Sequence, residues 1–262
     1  NGKKANFKIN SDGVTVLFER PLAWETNDSI RIQYEAKPKK GIYFIGWNDK
    51  NNLSRKQIWT QGQGVDNRYW IPMWDDLNDK LITETIVRFD QKYKVLSNGT
   101  KALERLNKDG TKTWHYKMTK PHASYLLMLG IGIYDIKEEK SKSGVPLRMY
   151  HYPEHTERAD LIYKHTADIM NFFESEIGVP YPWESYSQIP VQDFMYGAME
   201  NTTATVFGDF FCADKRSFND RNYVAVNAHE MAHQWFGDMV TARFEPHHWL
   251  QESFATLYIM LA

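Results

Sequence analysis

His229-Glu230-Met231-Ala232-His233 constrains this chain more than any other five residues. On a helix, residues four apart share a face, so two imidazoles at that spacing can grip one metal ion while Glu230 faces the same cleft. The run from Asn222 to Phe236 contains neither Pro nor Gly. Its apolar positions Val224, Ala228, Met231, Ala232 and Trp235 recur at three- and four-residue steps, which predicts a helix that Gly237 stops.

A catalytic zinc takes three protein ligands and keeps a fourth position open, so two histidines call for one more. Glu252 is the expected third, nineteen residues after His233 and inside a second helical pattern, His248 to Leu257. An acid among aromatic and aliphatic neighbours is costly unless paired or bound to metal. Such a centre, with one zinc ion per chain, would acidify a water and polarise a peptide carbonyl. Glu230 is then the expected general base, taking the water's proton and handing it to the leaving amine.

Three segments in order, Tyr196-Gly197-Ala198-Met199-Glu200-Asn201, HEMAHQWFGD and WLQESFA, resemble the M1 metalloaminopeptidases. These are gluzincins, a family that includes aminopeptidase N and leukotriene A4 hydrolase. Gln251 stands where the family usually has Asn and Ser253 where it usually has Gly; neither is an expected ligand. The resemblance implies a thermolysin-like zinc peptidase domain with His229, His233 and Glu252 as ligands and Glu230 as base. It makes Gly197, Ala198, Met199, Glu200 and Asn201 an exopeptidase motif, with Glu200 meeting the substrate's free amino end, and it gives Gln63 a share in holding that end. A free α-amino group is largely cationic near neutral pH, so an anchored carboxylate suits it. Gly197-Ala198 would let a substrate backbone approach as if pairing with a sheet edge.

The implied activity is removal of amino-terminal residues from peptides with a free amino terminus. Two other readings stay open at this point: an epoxide hydrolase of the leukotriene A4 hydrolase kind, and a zinc- or peptide-binding module without turnover. The sequence stops ten residues after Glu252, where the family continues. A further carboxy-terminal region is therefore expected to pack on the catalytic domain, and the oxyanion-stabilising Tyr is expected beyond residue 262, with Tyr258 a core residue. The opening Asn1-Gly2-Lys3-Lys4 lacks an initiator Met, so residue 1 is not expected to be the native start.

The expected fold class is α+β: a β-rich amino-terminal domain over 1–152 and a mainly helical catalytic domain over 153–262. Strands are expected at 14–18, 29–34, 42–45, 81–89, 93–97, 112–118 and 145–150, with turns such as Ser11-Asp12-Gly13 and Asn98-Gly99 between some of them. Residues 59–75 read as irregular, and 124–134 as a buried strand, because Gly130 and Gly132 disfavour a helix. The charged, turn-rich stretch 136–144 marks a shift in composition ahead of the boundary near 152. Beyond it, apolar residues from Leu161 to Phe173 keep helical spacing up to Gly178, and strands follow at 187–191 and 202–207.

With a net charge of −1, the chain has no basic excess of the kind that marks a nucleic-acid partner. No apolar run reaches the eighteen residues of a membrane span. His115, His122, His151, His155 and His165 lack metal-ligand spacing and are expected at the surface or in hydrogen bonds. Cys212 is the only cysteine, so no disulfide forms within the chain.

Overall fold

Alternating β-rich runs separated by turn residues fold, in the computed structural model, as antiparallel strands; residues 4–11, 13–220 and 222–262 are described. Asp12, in the expected Ser11-Asp12-Gly13 turn, lies outside them, as do Asn1, Gly2 and Lys3 at the start. A hairpin of β1 (Asn6–Asn10) and β2 (Gly13–Leu17) comes first. Next come β3 (Ile42–Ile45), β4 (Gln57–Thr60), β5 (Glu84–Asp90), β6 (Lys94–Ser97), β7 (Thr100–Leu106), β8 (Thr111–Lys117) and β9 (Leu129–Gly132). They form a four-stranded sheet, β3-β4-β9-β6, and a three-stranded sheet, β5-β8-β7.

Four details depart from the sequence reading. Residues 29–34 alternate like a strand but carry no strand pairing; Tyr34 instead donates its hydroxyl to the Trp70 carbonyl at 2.8 Å. β-Propensity needs a neighbouring ladder to become a strand. The buried strand expected over 124–134 is a 3-10 turn, Ser124–Leu126, followed by β9. Side chains satisfy its backbone instead of a ladder. Asn67 Nδ2 donates to the carbonyls of Ser124 and Leu127, and Asn98 Nδ2 donates to that of Leu126. β4 and β7 were not expected at all.

The fourth departure concerns 136–144, most of which is strand. β10 (Asp135–Lys140) pairs antiparallel with β11 (Pro146–His151). Its charges suit an edge position, where Glu138 pairs across the strands with Arg148 and Lys137 reaches Asp160. β11 then runs parallel to β12 (Tyr186–Val191), which runs parallel to β14 (Ala204–Gly208), with β13 (Ala198–Met199) antiparallel at the far edge. This five-stranded sheet takes strands from both sides of residue 152.

The helical pattern after residue 155 divides into α1 (Thr156–Ile162) and α2 (Thr166–Ile177). Buried Thr166 fixes the start of α2, donating to Gln188 Oε1 at 2.9 Å and accepting from Asn227 Nδ2 at 3.1 Å. Gln188 closes the triangle by donating to Asn227 Oδ1 at 2.7 Å, tying α2 and β12 to α3 (Val224–Ala232). α4 (Trp249–Leu261) packs on α3.

One apolar core joins the β-rich part to the five-stranded sheet through Trp59, Tyr125, Leu126 and Met128 against Ile189, Met199 and Val206. A second gathers Met149, Phe173, Tyr181, Met231, Trp235 and Ala255 beneath the helices. Burying aromatic groups of this size supplies much of the drive to fold, at about 25 cal/mol per Å² of apolar surface.

The Asn98-Gly99 turn locks the two parts together. Asn98 Nδ2 also donates to the Thr202 carbonyl, the Gly99 N–H donates to Thr203 Oγ1, and Ser185 Oγ donates to the Gly99 carbonyl. Gly99 has φ +84°, and a Cβ there would lie 2.1 Å from the Lys117 carbonyl oxygen, so glycine is required.

Candidate metal centre

Core packing aims α3. Ala228, Met231 and Ala232 face inward, which turns His229 and His233 towards the cleft. The helix is shorter than the expected span, ending at Ala232 with His233 as its C-cap, and turns carry the chain on to Gly237. His233 Nδ1 lies 2.9 Å from the Phe236 carbonyl. Donating to that oxygen keeps a proton on Nδ1 and aims Nε2 into the cleft, where a bound cation would displace its proton.

Glu252, in the first turn of α4, brings its carboxylate to the same point. Nε2 of His229 lies 3.0 Å from Nε2 of His233, and Glu252 Oε2 lies 3.3 Å from the first and 3.6 Å from the second. Four ligands around one zinc at ~2.0–2.1 Å stand about 3.3 Å apart, so this set of two imidazoles and a carboxylate fits a zinc ion. The charge balance agrees. Burial works against a charged His233, yet Glu200, Glu252 and Glu230 outweigh it and raise its pKa to about 10. Burial pushes the Glu230 carboxyl well up, with Glu200 and Glu252 adding to the shift and His233 opposing it. Asp238, wholly buried nearby, is raised well up by burial and by Glu200. A cleft this rich in carboxylates favours a cation. Hydrogen-bonding partners His229, His233 and His248 hold the Glu252 carboxyl far below the usual range.

Glu230 is buried, and its Oε2 has no hydrogen-bond partner among the described residues. Glu200 follows edge strand β13 and is only 3% exposed. One of its carboxylate oxygens, one from Glu252 and a ring nitrogen of His248 lie within 4.8 Å of one another. The Tyr125 hydroxyl donates to Glu200 Oε1 at 3.1 Å and accepts from Gln251 Nε2 at 2.8 Å. Gly197 turns with φ +87°, and its carbonyl accepts from the Gly208 N–H at 2.7 Å. Ala198 is half-buried and Met199 buried, both within β13. Asn201 is buried, with no partner for its side-chain amide among the described residues. Gln63 Nε2 lies 3.0 Å from His248 Nε2, at one edge of the cleft.

Sequence reasoning missed His248, Tyr125 and Gln251 as parts of the site, and Gln234 beneath it. His248 sits four residues before Glu252, the helical spacing that places its Nε2 3.2 Å from Glu252 Oε1, so that signal was available. Tyr125 is brought in from the β-rich part, and nothing near it in the chain announces it. Tyr258 is half-buried and packs against the second core, its ring stacked on Phe236 and edge-on to Phe173. Among the described residues, no helix is long and apolar enough to cross a membrane.

Residues 1–126 match the peptidase M1 N-terminal domain, and residues 162–261 match the peptidase family M1 domain. The chain is 31% identical to the probable aminopeptidase 1 of Sulfurisphaera tokodaii, over 95% of this chain and 32% of that protein. It is 29% identical to the leucyl aminopeptidase of Saccharolobus solfataricus, over 98% of this chain and 32% of that protein. Against aminopeptidase M1-C of Oryza sativa the identity is 28%, over 94% of this chain and 28% of that protein. The chain thus spans about a third of the length of the curated relatives it matches. With both domain matches in order along a β-rich first part and an HExxH helix, the chain belongs to peptidase family M1.

Proposed function

We propose that these residues carry the metal centre and the amino-end recognition of a zinc aminopeptidase, which removes amino-terminal residues from peptides. The observation that carries the reading is the buried Glu200 carboxylate, held beside Glu252 in the cleft that His229 and His233 face. His229 and His233 would hold zinc through Nε2, and Glu252 through its carboxylate. Zinc, when bound, supplies Lewis acidity to the scissile carbonyl and makes a nearby water more acidic. Glu230, ionised once a bound cation offsets the burial that raises its pKa, would accept a water's proton at Oε2, which has no partner among the described residues, and return it to the departing amine. Glu200 pairs with the substrate's ammonium group, while Tyr125, itself braced by Gln251, steadies the carboxylate.

Gly197 to Asn201 would lie along the substrate backbone, and Gln63 beside its amino end. In this reading the division near residue 152 separates a β-rich domain from the start of a thermolysin-like, mainly helical catalytic domain. Further chain would cover the exposed Trp249, Phe254, Leu257 and Met260 of α4.

The test uses the full-length protein. Glu200→Ala should lower kcat/KM on free-amine peptides by about 10- to 100-fold, since a hydrogen bond to a charged group is worth about 1.5–3 kcal/mol. Acetylating the peptide's amino terminus should abolish cleavage by the unaltered enzyme. Equal turnover of acetylated and free peptides would reject the assignment.

A further inference from the structure

Gln234, which follows His233 directly, is fully buried, and its polar groups are all engaged. Its Nε2 donates to the Glu200 carbonyl at 3.1 Å, and its Oε1 accepts from the Thr203 N–H at 2.9 Å and from the Tyr181 hydroxyl at 3.1 Å. Its own carbonyl accepts from Trp183 Nε1 at 3.0 Å, and its N–H donates to the Met231 carbonyl at 3.1 Å. One side chain thus joins the end of the metal helix to both ends of the 200–203 segment. That segment also carries stored strain, because Thr203, a β-branched residue, has φ +65° in the left-handed region. It keeps that conformation because it is gripped from two sides, by Gln234 at its N–H and by the Gly99 N–H at its Oγ1.

We infer that Gln234 is a positioning residue that fixes the Glu200 carboxylate relative to the metal-binding histidines, and so sets how strictly the site demands a free amino group. This rests on the reading of Glu200 as the ammonium partner. Among the described residues, the Glu200 carboxylate has one direct side-chain hydrogen bond, from Tyr125, so its placement depends on the backbone beneath it. Among the described residues Gln234 makes no hydrogen bond to the candidate donor atoms of His229, His233 or Glu252, and it acts through the Glu200 carbonyl and Thr203. An aliphatic side chain of similar size would leave a carbonyl, an N–H and a hydroxyl without these partners inside the core, and the segment would relax to regain them.

The experiment uses the full-length zinc-loaded protein and two probes, leucine hydroxamate and its des-amino analogue 4-methylpentanohydroxamate. Calorimetry gives the ratio of their dissociation constants, which isolates recognition of the amino group. Glu200→Gln should collapse this ratio. Gln234→Met and Gln234→Asn should lower it at least about tenfold, as loss of a well-placed charge-assisted contact would, while zinc content and affinity for the des-amino probe stay within about twofold. Hydrogen exchange at the amides of 200–203 should quicken in both. If Gln234→Met does not fold, Gln234→Asn carries the test, because its shorter amide cannot span both partners.

Glu200→Gln collapsing the ratio while both Gln234 variants retain it would overturn the inference and leave the role of Glu200 standing. Equal weakening of both probes would overturn it too, as the mark of a merely structural residue. An unchanged ratio in Glu200→Gln would remove the reading of Glu200, and this inference with it.

Discussion

Acid should loosen this protein at His122 before it strips most carboxylates of their charge. His122 is fully buried, and its N–H and carbonyl pair with the carbonyl and N–H of Leu81 at 3.0 and 2.9 Å. Its Nε2 meets Thr83 Oγ1 at 2.9 Å, and its Nδ1 has no partner among the described residues. Burial, helped by the charge of Lys80, lowers its pKa from 6.5 to about 4. The unfolded chain therefore takes up this proton first. The stability that His122 supports is complete above pH 6.5, declines as the pH falls from 6.5 to 4, and is level below that. A gap of ~2.5 pH units at ~1.36 kcal/mol each comes to about 3 kcal/mol. Lys80 donates to the carbonyls of Asp238 and Met239, so loosening here would reach the loop that follows the metal helix. Urea unfolding between pH 7.5 and 4, on the unaltered protein and on His122→Gln, isolates the effect. The stability difference between the two should change by about 3 kcal/mol in favour of the variant as the pH falls, with a slope nearing ~1.4 kcal/mol per pH unit between 6 and 4.5. Parallel curves for the two proteins would refute the reasoning.

His233→Ala should lose most bound zinc in elemental analysis while Glu230→Gln keeps it, since only the first removes a candidate donor; equal zinc content in both would dismiss the ligand assignment. Gly99→Ala should destabilise by about 1–3 kcal/mol, because the strained turn must shift away from the Lys117 carbonyl, and an unchanged urea midpoint would contradict that contact. Trp235, 1% exposed between Phe173 and Tyr181, should cost about 3–5 kcal/mol on substitution by Ala, measured by the same unfolding.

What could be read from the sequence was local and periodic. The apolar spacing around His229 and His233 announced α3, and the Asn98-Gly99 dipeptide announced a turn at the right place. What escaped depended on partners distant in the chain. Residues 29–34 have the alternation of a strand without a strand to pair with, while charged 135–140 pairs because β11 lies beside it. The break between α1 and α2 follows from Thr166 bonding to Gln188 and Asn227, twenty-two and sixty-one residues away. In the candidate site, His229, His233 and the acids were visible because metal chemistry limits which residues can serve, whereas His248 was passed over. Tyr125 and Gln234 were not, because a buried hydroxyl or amide shows its purpose only through the groups it meets.

The grip of the Asn98-Gly99 turn on residues 185 and 202–203 bears on how such chains can recombine. A turn joining strands of two different sheets, β6 and β7, in one part supplies donors that shape a loop in the other, so the seam is a matched surface and not a tether. Grafting the first 126 residues of one relative onto the remainder of another would exchange half of that surface. Chimeras that move the turn and the 200–203 loop together should keep the cleft in register, whereas those that part them would inherit a well-folded β half beside a displaced acid.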